Sequence, residues 1–348
     1  MRRSISLFLS FLLVLTFRPV SVRAETALVG VCMPNRTTQR WNQDGEHIKT
    51  ALEEAGMTVE LQYAEDNADL QVAQIEQMLE ARCALLIIAS VDGDALKPAL
   101  EKAKAAGVSV IAYDRPILNT QSVDGYVSFD SVAVGKMQGE YLEKRFALAS
   151  VENPLYIELF AGDPNDPNAH SVYEGAMSVL KPYIDGGTLI VRSGEIAFDN
   201  VATLAWDAQA ARARMETLVS GEKQPLDMVL CANDNIAIGV ADCLLAAGYA
   251  PERCPALTGQ DCSLQSVKRI ISGLQAMSVF KDTRALAGKC AELAKALLAE
   301  QPPKADTTCW NGSIDVPSYL CDLALADAES YERVLIESGY YTAEELSE

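Results

Sequence analysis

The residues of this chain best equipped for chemistry stand at the ends of apolar runs. The stretch "VIAYDRP" closes on Asp114 and Arg115 before Pro116 stops it. Other runs end on Asp130, on Asp163 to Asn168, on Asn233–Asp234, on Gln260–Asp261 and on Lys281–Asp282. Arg40 and Trp41 follow the first run in "TTQRW", and Trp206 sits in "TLAWDAQAARARM". This mixture suits a sugar. Each hydroxyl both donates and accepts; carboxylates take its protons, while amides, Arg and Lys donate to its oxygens. Charge-assisted bonds are the stronger ones, and paired acids and bases keep an inner shell near neutral for an uncharged polyol. Indole rings pack against the C–H faces of a pyranose. Each residue also has a plainer role. An Asp at a strand end often caps the next helix; Asp92 is read that way and left out. Gln260 and Asp261 are ambiguous before "CSLQSVKRI", Asn233 can orient its loop, Asp130 and Asp282 can serve domain crossings, and either Trp can be ordinary packing.

Such positions need a scaffold, and the sequence spells one out. Ten apolar runs of strand length recur: "ALVGVCM", "TVELQYA", "CALLIIAS", "VSVIAYD", "GYVSFD", "LYIELFAG", "LIVRSG", "MVLCAND", "PALTGQD" and "MSVFKD". Their near-continuous apolarity fits parallel strands covered on both faces. Helical stretches lie between most of them. Ala68 to Arg82 is expected to bury Val72, Ile75 and Leu79, and helices are expected to stop at Gly56, Gly107 and Gly248. Strand–helix repeats of this length give a doubly wound α/β fold. The pattern restarts near "NPLYIELFAGDPNDPNAH", so two domains are expected, each with its own parallel sheet. Ligands of such sheets sit outside the carboxyl ends of the strands, here in a cleft between the halves.

Composition narrows the function. The chain has 348 residues, 49% hydrophobic and 22% charged, the balance of a globular protein. Residues 1–24, with Arg2 and Arg3 before an apolar run and "SVRA" at its end, read as a secretory signal peptide cut after Ala24. The first cysteine, Cys32, lies inside a strand run, so no lipid anchor is expected. Four of the 29 basic residues fall in the signal segment, leaving 25 against 48 acids and a net charge near −23. That surface repels nucleic acid and anionic membranes. Nine cysteines form no CxxC and neither His47 nor His170 neighbours one, so no zinc site is expected. Cys243/Cys254 and Cys309/Cys321 have the most suggestive disulfide spacings, while Cys290 continues a helical stripe with Leu286, Leu293 and Leu297. No GxGxxG follows the first strand, and no P-loop or GxSxG occurs. A carboxylate-based glycosidase stays open on composition alone.

The motifs "RWNQDG", "QYAEDNADLQVAQIEQML", "VIAYDRPI", "VSFDSVAVGKMQG", "GAMSVLKPYIDGG", "TGQDCSLQSVKRIISG", "VFKDT" and "KADTT", in this order from about Ala27 to the C-terminus, resemble the type I periplasmic sugar-binding proteins. The similarity is greatest to the xylose-binding and multiple-monosaccharide-binding branch. The resemblance implies an α/β fold of two Rossmann-like lobes joined by a three-segment hinge. The N-terminal lobe would span residues 25–131 and 282–311, the C-terminal lobe 132–281 and 312–348, with crossings near Asp130–Ser131, Lys281–Asp282 and Asn311–Ser313. It implies a monomeric, non-enzymatic, periplasmic receptor without cofactor or metal. Such a receptor takes a monosaccharide and serves an ABC permease, and in some relatives a chemoreceptor or sensor kinase. A sugar-responsive regulator shares the fold but asks for a basic DNA-binding segment where this chain has its signal segment. By resemblance Arg40 and Trp41 bind hydroxyls and pack on the ring, Asp114 and Arg115 both contact sugar, and Asn168 is the amide of "DPNA". Trp206 forms the second lobe's wall, Asp234 is the Asp of the "ND" loop, and Lys281 stands at the return crossing. Relatives often carry Asp-Asn-Asn where this chain has "DPNA".

Overall fold

A computed structural model describes residues 26–220, 226–250, 253–302 and 304–347; the expected signal segment lies outside them. The ten apolar runs form ten strands. Five build the first lobe: β1 (Leu28–Met33), β2 (Thr58–Tyr63), β3 (Leu85–Ile88), β4 (Ser109–Tyr113) and β5 (Gly125–Phe129). Helices α1 (Gln39–Glu54), α2 (Ala68–Glu80) and α3 (Lys97–Ala105) connect them. The second lobe holds α4 (Ser131–Arg145), β6 (Leu155–Phe160), α5 (Pro167–Asp185), β7 (Leu189–Val191), the short α6 (Phe198–Val201), α7 (Ala208–Val219), β8 (Met228–Cys231), α8 (Asp234–Ala246), β9 (Ala256–Leu257), α9 (Leu264–Ile271) and β10 (Met277–Lys281). Then α10 (Thr283–Leu298) returns to the first lobe, where it packs on α1. Buried apolar side chains line both faces of each sheet, which is why these strands lack polar alternation.

Three further strands follow: β11 (Thr307–Trp310), β12 (Asp315–Cys321) and β13 (Leu323–Asp327). The first sheet has the order β11-β12-β5-β4-β3-β1-β2, with β12 parallel to β5 and β11 antiparallel to β12. The second has β7-β6-β8-β9; the Gln260–Val279 bridge brings β10 alongside, and β13 pairs antiparallel to β10. The chain therefore passes between lobes after β5 at Asp130, after β10 at Asp282, and between β12 and β13 at Asp322. The third passage corrects the expectation of Asn311–Ser313. Residues 312–321 stay with the first lobe because β12 hydrogen-bonds β5 from Ser318↔Tyr126 to Cys321↔Phe129.

Local chemistry explains the boundaries. Asn67, Asp130, Asp166, Asp207, Asn233 and Asp282 each accept a backbone N–H at the start of the next helix. Gly56, Gly107 and Gly248 end helices with φ of 86°, 71° and 86°, a region open to glycine. Helix α2 buries Gln71, Gln74, Ile75 and Met78 more deeply than Val72 or Leu79. Its inner glutamines hydrogen-bond to the ends of β2 and β3, at Tyr63 O (2.8 Å) and Ala89 O (2.9 Å). The two suggestive spacings form no disulfide: Cys243, Cys309 and Cys321 are all thiols. Cys309 packs on one face of the first sheet and Cys321 on the other, so the sheet itself separates them. Cys290 is fully buried in the apolar core.

Candidate functional site

A cavity of about 400 Å³ opens between the lobes at the carboxyl ends of the strands. Arg40, Trp41, Asp114, Arg115, Asn168, Trp206 and Lys281 all line it. Arg40 stands at the start of α1 and makes three ion pairs. Its Nε donates to Asp44 Oδ2 (2.5 Å), Nη2 to Asp114 Oδ2 (2.7 Å) and Nη1 to Asp261 Oδ1 (2.9 Å). Lys281 also pairs with Asp261 Oδ1, at 2.8 Å. Arg115 Nε pairs with Asp166 Oδ2 at 2.9 Å, which also accepts from Trp206 Nε1 at 3.3 Å. Asn168 Nδ2 donates to the Asp114 carbonyl at 2.8 Å. Arg40–Asp261, Arg115–Asp166 and Asn168–Asp114 each run from one lobe to the other.

The backbone that aims these groups is strained. Asp114 (φ 59°), Ala205 (55°), Trp206 (54°), Asp261 (94°) and Asp66 (56°) all line the cavity in the left-handed region. Non-glycine residues held there cost on the order of 1–3 kcal/mol each, and such residues cluster at functional sites. At Asp114 the surroundings enforce it: its carbonyl accepts from Tyr126 OH (2.9 Å), Ser128 Oγ (2.7 Å) and Asn168. The Trp206 ring lies flush against Gly162, where a Cβ would come within 2.2 Å of it. Trp41 lines the cavity from the first lobe, with the Arg115 guanidinium 5.1 Å from its ring centroid.

Charge follows burial and pairing. Burial alone would raise the Asp114 carboxyl, but Arg40, Lys281 and Arg115 outweigh it and hold the pKa below its ordinary value. Burial pushes Asp166 up against the pull of Arg115, and pushes Asp44 up to about 6 against Arg40. Arg40 is desolvated too, yet its three carboxylates hold its charge firmly. Asp114, Asp166 and Asp261 thus face Arg40, Arg115 and Lys281, while Asp66, Asp92 and Asp163 add further acids to the cavity wall.

Asp234, expected in the site, does not line the cavity. It is 1% exposed and accepts from Ser263 N (2.7 Å), Ser278 Oγ (2.8 Å) and Gln275 Nε2 (3.1 Å). It anchors the loop that presents Asp261, and its neighbours Asn233 and Asn235 line the cavity instead. Burial, with Asp261 nearby, pushes its pKa up to about 7. Asp261 and Asp166 are the main residues the sequence reading passed over. Both belong to the polar strand ends at Asp163 to Asn168 and Gln260–Asp261. Asp166 caps α5 through Asn168 N and pairs with Arg115 as well; Ser263, not Asp261, caps α9. Asp92, expected to cap the next helix, does not: Leu96 stands at the N-cap of α3, while Asp92 turns the preceding loop by accepting from Asp94 N and Ala95 N and lines the cavity. Among the described residues no group of His, Cys, Asp or Glu is placed to hold a metal ion, and no helix is long and apolar enough to cross a membrane.

Two α/β lobes closing on one polar, aromatic-walled cleft define a two-lobed binding protein. Residues 29–302 match the family described as the periplasmic binding protein domain, and the chain belongs to that family, whose members are substrate-binding proteins rather than enzymes. It is 42% identical over 329 residues to the multiple sugar-binding periplasmic receptor ChvE of Rhizobium radiobacter, covering 93% of each chain. It is 33% identical to the D-xylose-binding periplasmic protein of Escherichia coli over 94% of each. Among solved structures, an ABC transporter solute binding protein from Clostridium phytofermentans with bound β-D-glucose shares 46% identity and a TM-score of 0.87, over 92% of this chain and 99% of that one.

Proposed function

We propose that this protein is an exported, monomeric receptor that captures one aldose, pentose or hexose, in the interlobe cavity and delivers it to the membrane subunits of an ABC importer. A chemoreceptor or sensor kinase that reads the closed form is a second partner of the same kind. The carrying observation is the cavity itself: Arg40, Arg115 and Lys281 paired with Asp114, Asp166 and Asp261 in a polar cleft also lined by two indoles, in a chain 46% identical to a glucose-bound solute-binding protein. In this reading Asp114 and Asp261 accept from hydroxyls, Arg40, Arg115, Asn168 and Lys281 donate, and Trp41 and Trp206 sandwich the ring. Asp234 supports the Asp261 loop. Residues 1–24 direct export to the periplasm and are removed, so the mature mass should begin near Glu25. Titration calorimetry against xylose, glucose, galactose and arabinose tests the reading; heat from at least one is expected, and none from any would overturn it.

A further inference from the structure

The lobes meet a second time outside the cavity. After β13 the chain folds over the second lobe through a π-helical turn (Glu332–Ile336) and α11 (Ala343–Ser347). The Tyr341 ring is buried there with Cys262, Val267, Leu335 and Leu346. The Tyr340 ring stands edge-on to Phe280 at 4.7 Å and to Tyr341 at 4.9 Å. Both rings therefore belong to the second lobe. Their hydroxyls reach the first. Tyr341 OH accepts from Gln39 Nε2 at 3.0 Å while donating to Cys262 O at 3.0 Å. Tyr340 OH donates to Gln43 Oε1 at 3.3 Å and lies 3.1 Å from Thr283 Oγ1. Gln39 Oε1 in turn accepts from Leu264 N, the first residue of α9, at 3.1 Å. Gln39 is thus held by two groups of the other lobe and immediately precedes Arg40. None of Gln39, Gln43, Tyr340 or Tyr341 lines the cavity.

We infer that Gln39 and Gln43 with Tyr340 and Tyr341 form a clasp that fastens the closed lobes and sets sugar affinity without touching sugar. The inference rests on the receptor reading and adds positioning residues to it. The physical argument is a population argument. An apparent dissociation constant is the intrinsic one divided by the fraction of molecules in the binding-competent state. A contact made only when the lobes are closed raises that fraction equally for every ligand. Losing it must weaken all aldoses by one common factor, whereas losing a sugar contact changes their ranking. The affected rate is dissociation, since opening frees the ligand.

The test compares full-length mature wild type with Gln39→Ala, which removes both bonds, and with Tyr341→Phe, which keeps the buried ring and deletes the hydroxyl. Affinities and dissociation rates are measured for two or more aldoses that wild type binds. Expected for Gln39→Ala is a loss of roughly tenfold, the scale of one or two net hydrogen bonds, equal across sugars and carried by faster release. Tyr341→Phe should lose less, and the double variant less than the product of the two. If Gln39→Ala does not fold, Tyr341→Phe makes the same comparison alone. Unchanged affinity in the variants, or losses differing more than about threefold between sugars, overturns the clasp. Wild type that binds no aldose is a separate result, and overturns the receptor reading beneath it.

Discussion

Arg40 commits its Nε to Asp44 and turns both Nη atoms toward Asp114 and Asp261. In the proposed binding mode a sugar meets acids that are already desolvated and aimed, which lowers the cost of ordering them. Asp114→Asn keeps the shape and tolerates the left-handed backbone but removes the anion. The expected loss is that of a charged hydrogen bond, about 1.5–3 kcal/mol, or roughly 10- to 150-fold in dissociation constant; calorimetric affinity unchanged from wild type would exclude Asp114 from binding. Asp234 makes a stability prediction instead. Its folded pKa, about 7, lies above the unfolded value of about 3.9, so between roughly pH 4 and 7 the native state holds a proton the unfolded chain has released. Its contribution is greatest at the acidic end and is lost as pH rises through that window. Asp44, raised to about 6, slopes the same way; Asp114 and Asp282, both lowered, act in the opposite sense at more acidic pH. Urea unfolding at pH 4.5 and 7.5 should therefore show a smaller fall for Asp234→Asn than for wild type. Equal falls would mean that Asp234 titrates like an exposed acid.

Helices α4 and α5 show how tightly an element can constrain its residues. A Cβ on Gly135 would lie 1.8 Å from Val172 O, and one on Gly175 2.0 Å from Val132 O. Backbone cannot retreat as a side chain can, so Gly135→Ala should destabilise by about 1–3 kcal/mol, toward the upper end of overpacking costs. Gly288, in α10 with open space around its Cβ position, is the control: Ala there should stabilise by up to about 1 kcal/mol. Urea midpoints of the two variants should move in opposite directions, and a tolerant Gly135→Ala would refute the close crossing. The same scale explains what sequence could and could not reveal. Strands β1 to β10 were legible because helices cover both faces and little polarity interrupts them. Strands β11 and β12 are not legible, because "TTCW" is exposed or half-buried throughout and "DVPSYLC" mixes exposed and buried positions, and without β12 the third crossing is misplaced. The strand-end rule pointed to Asp114, Arg115, Asn168 and Lys281 and to Arg40 and Trp41 beyond the first run, and the resemblance singled these out and added Trp206. The rule failed at Asp234, Asp166 and Asp261 because an acid that caps, one that anchors a loop and one that faces a ligand are the same letter. Only the three-dimensional partners, such as Ser278 for Asp234 and Arg115 for Asp166, separate them.

At the scale of the whole molecule, two cores share one cleft. The ion pairs that bridge it, Arg40–Asp261 and Arg115–Asp166, are largely buried, and buried pairs often do little better than offset their own desolvation. They specify how the lobes meet more than how firmly. In the proposed binding mode a sugar adds hydrogen bonds to both walls at once, so closure is a property of ligand and lobes together. Binding to the folded protein alone adds about 2.7 kcal/mol to unfolding at a ligand concentration 100 times the dissociation constant. If the ligand's partners come from both lobes, as proposed, that free energy must be surrendered whichever lobe unfolds first. Scanning calorimetry with saturating aldose should therefore move the entire unfolding endotherm upward, merging any separate lobe transitions that unliganded protein shows. A transition that stays in place while another rises would put the sugar on one lobe alone, and would contradict a binding site made from Asp114 on one wall and Asp261 on the other.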